Sequence, residues 1–169
     1  MNYIGNFSNW IKQEWVDEVL KNNGWTVPRD LAKDPQVQLN NDEQKWFTSG
    51  YKMSDHFFSA FYKSDCSFNI APPWSPQSWD WWIVKMMPGQ FIPVHGDLAM
   101  ATRKNAKSYW MPWQDWKSGH VFMYQDKTIT NYKKGDVYEY DASVVHCAIN
   151  IGVTPRIVLQ VREYDELRG

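Results

Sequence analysis

Apolar positions near the start of the chain recur at helical spacing. Ile11, Trp15 and Val19 stand at i, i+4 and i+8, with Val16 and Leu20 beside them. This predicts a helix over 8–23 with Ser8 as N-cap and Gly24 just past its end. A second helix is expected over 54–63, with Phe57, Phe58 and Phe61 on one side and His56 as a surface or packing residue. Pro28, Pro35 and the run Ala71-Pro72-Pro73-Trp74-Ser75-Pro76 read as loops. No internal repeat or low-complexity stretch interrupts the pattern.

The pattern changes after Pro76. Short apolar runs alternate with turn residues at close spacing, which predicts strands over 80–87, 91–95, 107–112, 119–125, 128–132, 136–140, 144–150 and 156–163. Lys134-Gly135-Asp136 makes one tight turn, and the segment from Gly152 to Pro155 another. Eight short strands in succession suit a double-sheet jelly roll or a small barrel. The expected fold is α+β and mainly β, in a single domain of 169 residues. A helical and loop segment over 1–75 packs on one sheet of a strand-rich core over 79–163.

Composition narrows the function classes. The 18 basic and 19 acidic residues leave a net charge of −1, so no nucleic-acid partner is expected. Lys104, Lys107, Lys133 and Lys134 are scattered and read as solvated surface. Cys66 and Cys147 make no disulfide framework, which with the polar start at Asn2 points to a cytoplasmic protein. No run approaches the roughly 20 apolar residues that cross a bilayer, so no membrane association is expected. Aromatic residues make up 17% of the chain and include 11 Trp. They suit either a core of large flat side chains or a lined groove. Trp74, Trp79, Trp81 and Trp82 cannot all point the same way.

Three features carry candidate chemistry. In His95-Gly96-Asp97, positions i and i+2 of a strand share a face, so two ligands can converge on one metal, and the glycine lets the backbone pass close to it. His146 follows 49 positions after Asp97 and supplies a second imidazole. Two imidazoles and a carboxylate are the facial triad of non-haem Fe(II) oxygenases, with positions left open for cosubstrate and O₂. Arg156, ten positions after His146, opens the apolar strand Ile157-Val158-Leu159-Gln160-Val161. With Arg156, Val158 and Gln160 facing inward, Ile157, Leu159 and Val161 face the helices. An arginine in the barrel mouth without an acidic neighbour calls for an anionic ligand such as a carboxylate. His120 reads as a strand-end histidine with a structural hydrogen bond. Asn150 reads either as a pocket residue or as the cap of the Gly152 turn.

The segment from Met87-Pro88-Gly89 to His95-Gly96-Asp97 resembles the x-Pro-Gly…His-x-Asp stretch of 2-oxoglutarate/Fe(II)-dependent oxygenases. Gly135-Asp136, His146, Asn150, Gly152 and Pro155-Arg156 resemble the closing half of the same double-stranded β-helix. The resemblance covers about half of the chain. It implies a double-stranded β-helix, Fe(II) held by His95, Asp97 and His146, and 2-oxoglutarate whose C5 carboxylate meets Arg156. It implies hydroxylation or desaturation at a C–H bond, with O₂ as co-reactant and succinate as product, because Asp97 occupies the place where halogenating members carry a small residue. The Ser or Thr that often stands two residues after the family's arginine is absent, so Tyr109, Tyr124 or Thr128 is left to supply that hydroxyl. The stretches 109–119 and 141–156 are similar to the aspartyl/asparaginyl β-hydroxylase-like branch, which implies an amino-acid-like, peptidyl or other small-molecule substrate. Substrate contacts are expected from 74–82 and from the 98–107 loop with Arg103. A nucleobase demethylase fits less well, given the charge balance and no second arginine close after Arg156. Two alternatives remain: a non-catalytic Trp-rich jelly roll for carbohydrate or peptide, and a cupin-type enzyme. The cupin reading lacks its usual His-x-His and downstream Glu.

Overall fold

The structure is a computed structural model that describes residues 1–28, 56–75, 79–97 and 106–163. Its N-terminal part comprises strand β1 (Asn2–Asn6), helix α1 (Gln13–Lys21), β2 (Trp25–Pro28) and β3 (His56–Tyr62). Eight strands follow: β4 (Trp79–Met86), β5 (Phe91–His95), β6 (Lys107–Pro112), β7 (His120–Tyr124), β8 (Lys127–Ile129), β9 (Asp136–Tyr140), β10 (His146–Asn150) and β11 (Arg156–Glu163). They form one sheet of order β1-β9-β6-β11-β4-β3-β2 and a second of order β5-β10-β7-β8. Apart from β7 and β8, which pair with each other, consecutive strands from β4 to β11 lie in opposite sheets. All pairings are antiparallel. That interleaving is the double-stranded β-helix, a jelly roll with both sheets facing one interior.

The eight strands match their predicted places closely, with β8 shorter than expected. The N-terminal part departs further. Residues 8–23 do not form one helix: Ser8–Trp10 is a 3-10 turn and α1 begins at Gln13, with Lys12 rather than Ser8 at the N-cap. The predicted helix over 54–63 is instead strand β3 followed by a 3-10 turn at Lys63–Asp65, so His56 lies on a strand. Phe61 of β3 packs towards α1, while Phe58 and Tyr62 turn to the sheet interior. With both faces of β3 covered, its sequence shows no alternation of apolar and polar residues, and the phenylalanine spacing passes for a helical stripe.

Two cores flank the larger sheet. On its outer face Ile157, Leu159 and Val161 of β11 and Trp81 and Ile83 of β4 meet Ile11, Trp15 and Val19 around α1, as expected for β11. Between the sheets Val84, Trp110, Phe122 and Val158 form the inner core. The tryptophans divide accordingly. Trp15, Trp81, Trp110 and Trp113 are buried in the cores, whereas neighbouring Trp82 faces the interior cavity. Among the described residues no helix is long and apolar enough to cross a membrane.

Candidate metal and anion site

β5 ends and β10 begins at the same level of the smaller sheet, and His95 and His146 are cross-strand partners there. Their ring centroids lie 4.3 Å apart. Each ring is fixed in the same way. His95 Nδ1 donates to the Pro93 carbonyl at 2.7 Å, and His146 Nδ1 donates to the Val144 carbonyl at 2.8 Å. A carbonyl only accepts, so both protons sit on Nδ1 and both Nε2 lone pairs are left for a ligand. His146 is buried, and that burial, first of all, pushes its pKa below the ordinary imidazole value.

Asp97 follows the end of β5. Its backbone N–H donates to the Ala142 carbonyl at 2.7 Å. Between the two ligand positions, a Cβ on Gly96 would stand 2.5 Å from the Ser143 carbonyl oxygen. The close approach that requires glycine is therefore to the turn before β10, rather than to the metal position itself. Asp97 Oδ1 lies 3.6 Å from His95 Nε2, and Arg162 Nη2 donates to Asp97 Oδ2. One ligand atom from each of His95, Asp97 and His146 falls within 4.8 Å of the other two. Neutral imidazoles with one hard carboxylate suit Fe(II) and other first-row divalent ions.

A cavity of about 340 Å³ runs between the sheets from this cluster. Tyr62, Asp80, Trp82 and Arg162 stand on its accessible side, and Trp110, Phe122, Val158 and Arg156 on its buried side. Arg156 is thus a floor residue and not the mouth residue expected from the sequence. It is 2% exposed, and its guanidinium lies 5.7 Å from the Trp110 ring and 6.0 Å from the Phe122 ring. Phe122 lies in turn 6.2 Å from His146, so its ring neighbours both the guanidinium and the cluster. Nη1 donates only to Met86 Sδ, at 3.3 Å, while Nε and Nη2 have no partner. Among the described residues no carboxylate pairs with Arg156, and burial pushes its pKa down.

The other expected residues lie elsewhere. Tyr109 sits in the outer core, on the face of β6 away from the cavity, and its hydroxyl donates to Glu163. Tyr124 donates to the Asp141 carbonyl, and neither it nor the exposed Thr128 lines the cavity. Asn150 is spent on the turn. Its Nδ2 donates to the Met86 and Thr154 carbonyls, and its Oδ1 accepts from the Gly152 N–H. His120 is buried and donates through Nε2 to the Thr154 carbonyl, the structural bond expected of it. The 98–105 part of the expected substrate loop, with Arg103, and the Trp79 side chain lie outside the described residues.

Two residues not singled out from the sequence bear on the site: Tyr132, which stands behind the cavity wall near Arg156, and Arg162, which lines the cavity. Tyr132 is buried against Trp110 at 5.0 Å, with a phenol oxygen that has no hydrogen-bond partner. Burial raises its pKa, and the Arg156 guanidinium, close but outside hydrogen-bond distance, opposes the rise. Tyr132 follows the end of β8, where no strand parity indicates its direction. Arg162 is the second arginine that the sequence reading found lacking. It lies six residues after Arg156, and period two along β11 places it on the same face.

No known family model and no curated protein matches the chain. Among solved structures it is similar to an uncharacterised conserved protein with a double-stranded β-helix domain from Klebsiella pneumoniae subsp. pneumoniae MGH 78578. The identity is 20% over 52% of this chain and 69% of that one, with a TM-score of 0.39. A predicted oxalate decarboxylase from Thermotoga maritima gives 21% over 51% of this chain and 66% of that one, just under two-thirds of its length, with a TM-score of 0.39. The cupin domain of an XRE family transcriptional regulator from Enterobacter cloacae gives 10% over 65% and 99%, with a TM-score of 0.46. Such distant likeness carries no activity across, and the assignment of the fold rests on the strand order.

Proposed function

We propose that the chain is an Fe(II)/2-oxoglutarate-dependent oxygenase that hydroxylates a C–H bond of an amino-acid-like, peptidyl or other small substrate. The observation that carries this reading is Arg156. An unpaired guanidinium at the floor of a cavity costs several kcal/mol unless an anion joins it, and the metal-type cluster lies in the same cavity. A dianion with one carboxylate for Arg156 and a second oxygen group for the cluster meets both demands. In this reading His95 and His146 offer Nε2, Asp97 offers Oδ1, and Arg156 grips the far carboxylate through Nε and Nη2. Tyr132, rather than Tyr109, Tyr124 or Thr128, supplies the hydroxyl beside it. Iron with 2-oxoglutarate supplies O₂ activation, with release of succinate and CO₂. The chain orients the cosubstrate, and Phe58, Trp82 and Ile92 hold the body of the substrate and exclude water. The reading as a Trp-rich binding module is less well supported, since Trp15, Trp81 and Trp113 are buried in the outer core and Trp82 and Trp110 alone among the described tryptophans line the cavity.

Anaerobic titration of the purified chain with Fe(II), then 2-oxoglutarate, tests the proposal. A visible metal-to-ligand charge-transfer band is expected on the second addition, and its absence from folded protein counts against the reading. His146→Ala should abolish iron binding. Arg156→Ala should spare iron and weaken 2-oxoglutarate about a hundredfold, the loss of two charge-assisted bonds at roughly 1.5 kcal/mol each. Unchanged 2-oxoglutarate affinity in Arg156→Ala would overturn the anion assignment.

A further inference from the structure

Two carboxylates lie within reach of Arg162, and its choice between them is informative. Asp80 stands directly opposite it on β4, the position from which a cross-strand ion pair ordinarily forms. Among the described residues Asp80 is exposed and forms no salt bridge. Arg162 instead crosses to Asp97, just past the end of β5 in the other sheet, and donates Nη2 to Oδ2. Its guanidinium lies 4.5 Å from the centroid of the Trp82 ring, a flat support that suits a planar cation. Oδ2 is thereby occupied, and Oδ1 is the oxygen left beside His95 Nε2.

From this we infer that Arg162 is a positioning residue that commits Asp97 to bind a metal through Oδ1 alone, with Trp82 holding the guanidinium in place. The inference rests on the proposed iron site and adds to it which carboxylate oxygen coordinates and why. A carboxylate free to chelate through both oxygens would take a second coordination position, one that the cosubstrate or O₂ requires. Charge alone acts in the opposite sense. A guanidinium next to a divalent cation repels it, so removing Arg162 for its charge would tighten metal binding. A released carboxylate changes how Asp97 meets the metal, whereas lost charge alone does not, so the Co(II) spectrum, read with the affinity, separates the two effects.

The test compares the full chain with Arg162→Met, Arg162→Lys and Trp82→Leu by anaerobic Fe(II) titration, with Co(II) as a spectroscopic probe. Arg162→Met should bind Fe(II) about 10- to 100-fold more weakly, with a changed Co(II) d–d spectrum. Arg162→Lys, which keeps a charge and a donor, should recover part of the loss, and Trp82→Leu should fall between parent and Arg162→Met. Parental or tighter metal binding with an unaltered Co(II) spectrum in folded Arg162→Met overturns the inference. Should that variant fail to fold, parental affinity and spectrum in both Arg162→Lys and Trp82→Leu overturn it equally. If the parent itself binds no Fe(II), the iron reading fails and this inference with it. If the parent binds and the variants match it, only the role of Arg162 fails.

Discussion

A methyl group at position 96 would press on the Ser143 carbonyl, and that carbonyl has little freedom to yield. The Ser143 N–H and hydroxyl both bond Asp141 Oδ1 in the turn that leads to β10. Gly96→Ala should therefore drive the end of β5 away from the start of β10 and separate Asp97 from His146. The expected outcome is a cost of about 1–3 kcal/mol, typical of overpacking, and Fe(II) affinity lowered on the order of tenfold. Denaturant midpoints and metal titration measure the two effects, and parental values in both would show that the backbone relaxes around the methyl group. At this scale the convergence of His95, Asp97 and His146 was legible because the i, i+2 spacing at the end of β5 and a second histidine at the start of a strand are written in the chain. Arg156 was legible for the same reason, although its depth was not. Tyr132 was hidden because the strand expected over 128–132 ends at Ile129, so strand parity does not carry to position 132. Arg162 could have been found by counting one more alternation along β11, past Gln160.

Helix α1 is only nine residues long, and a cation from the sheet completes its C-terminal end. Lys85, 4% exposed on β4, donates Nζ to the Val19 carbonyl at 2.9 Å and also to the Asn22 carbonyl. A positive charge belongs at this end of a helix, where unpaired carbonyls gather, although burial pulls the lysine pKa down. Lys85→Met should leave those carbonyls unsatisfied and cost about 1–3 kcal/mol. Hydrogen exchange should show earlier opening of α1 than of β10, and equal protection of α1 in parent and variant would show that the lysine is dispensable. The eight jelly-roll strands were legible because Gly, Pro and Asp turns punctuate them. The N-terminal elements were not. β3 is covered on both faces, and α1 starts late because the chain first makes a 3-10 turn at Ser8–Trp10.

Two histidines buried by the fold contribute to its acid sensitivity. Burial pushes the pKa of both His146 and His120 below the ordinary value of 6.5. The unfolded chain then binds more protons than the folded one as pH drops below about 6.5. Stability from these two groups is fully present above that pH and is lost as pH falls through their folded values. Thermal midpoints of the metal-free protein should hold steady from pH 8 to about 6.5 and decline below it, with a slope of up to two protons. A flat profile down to pH 5 would mean that neither histidine resists protonation. A different consequence follows from the interleaving of β4 to β11. His95 and His146 face each other across one sheet, yet 51 positions of chain, including four strands, separate them. The entropy of closing so long a loop has to be met before the pair exists. A cation held by both would thus act as a reversible cross-link, drawing its affinity from the folded topology and returning that affinity as resistance to unfolding.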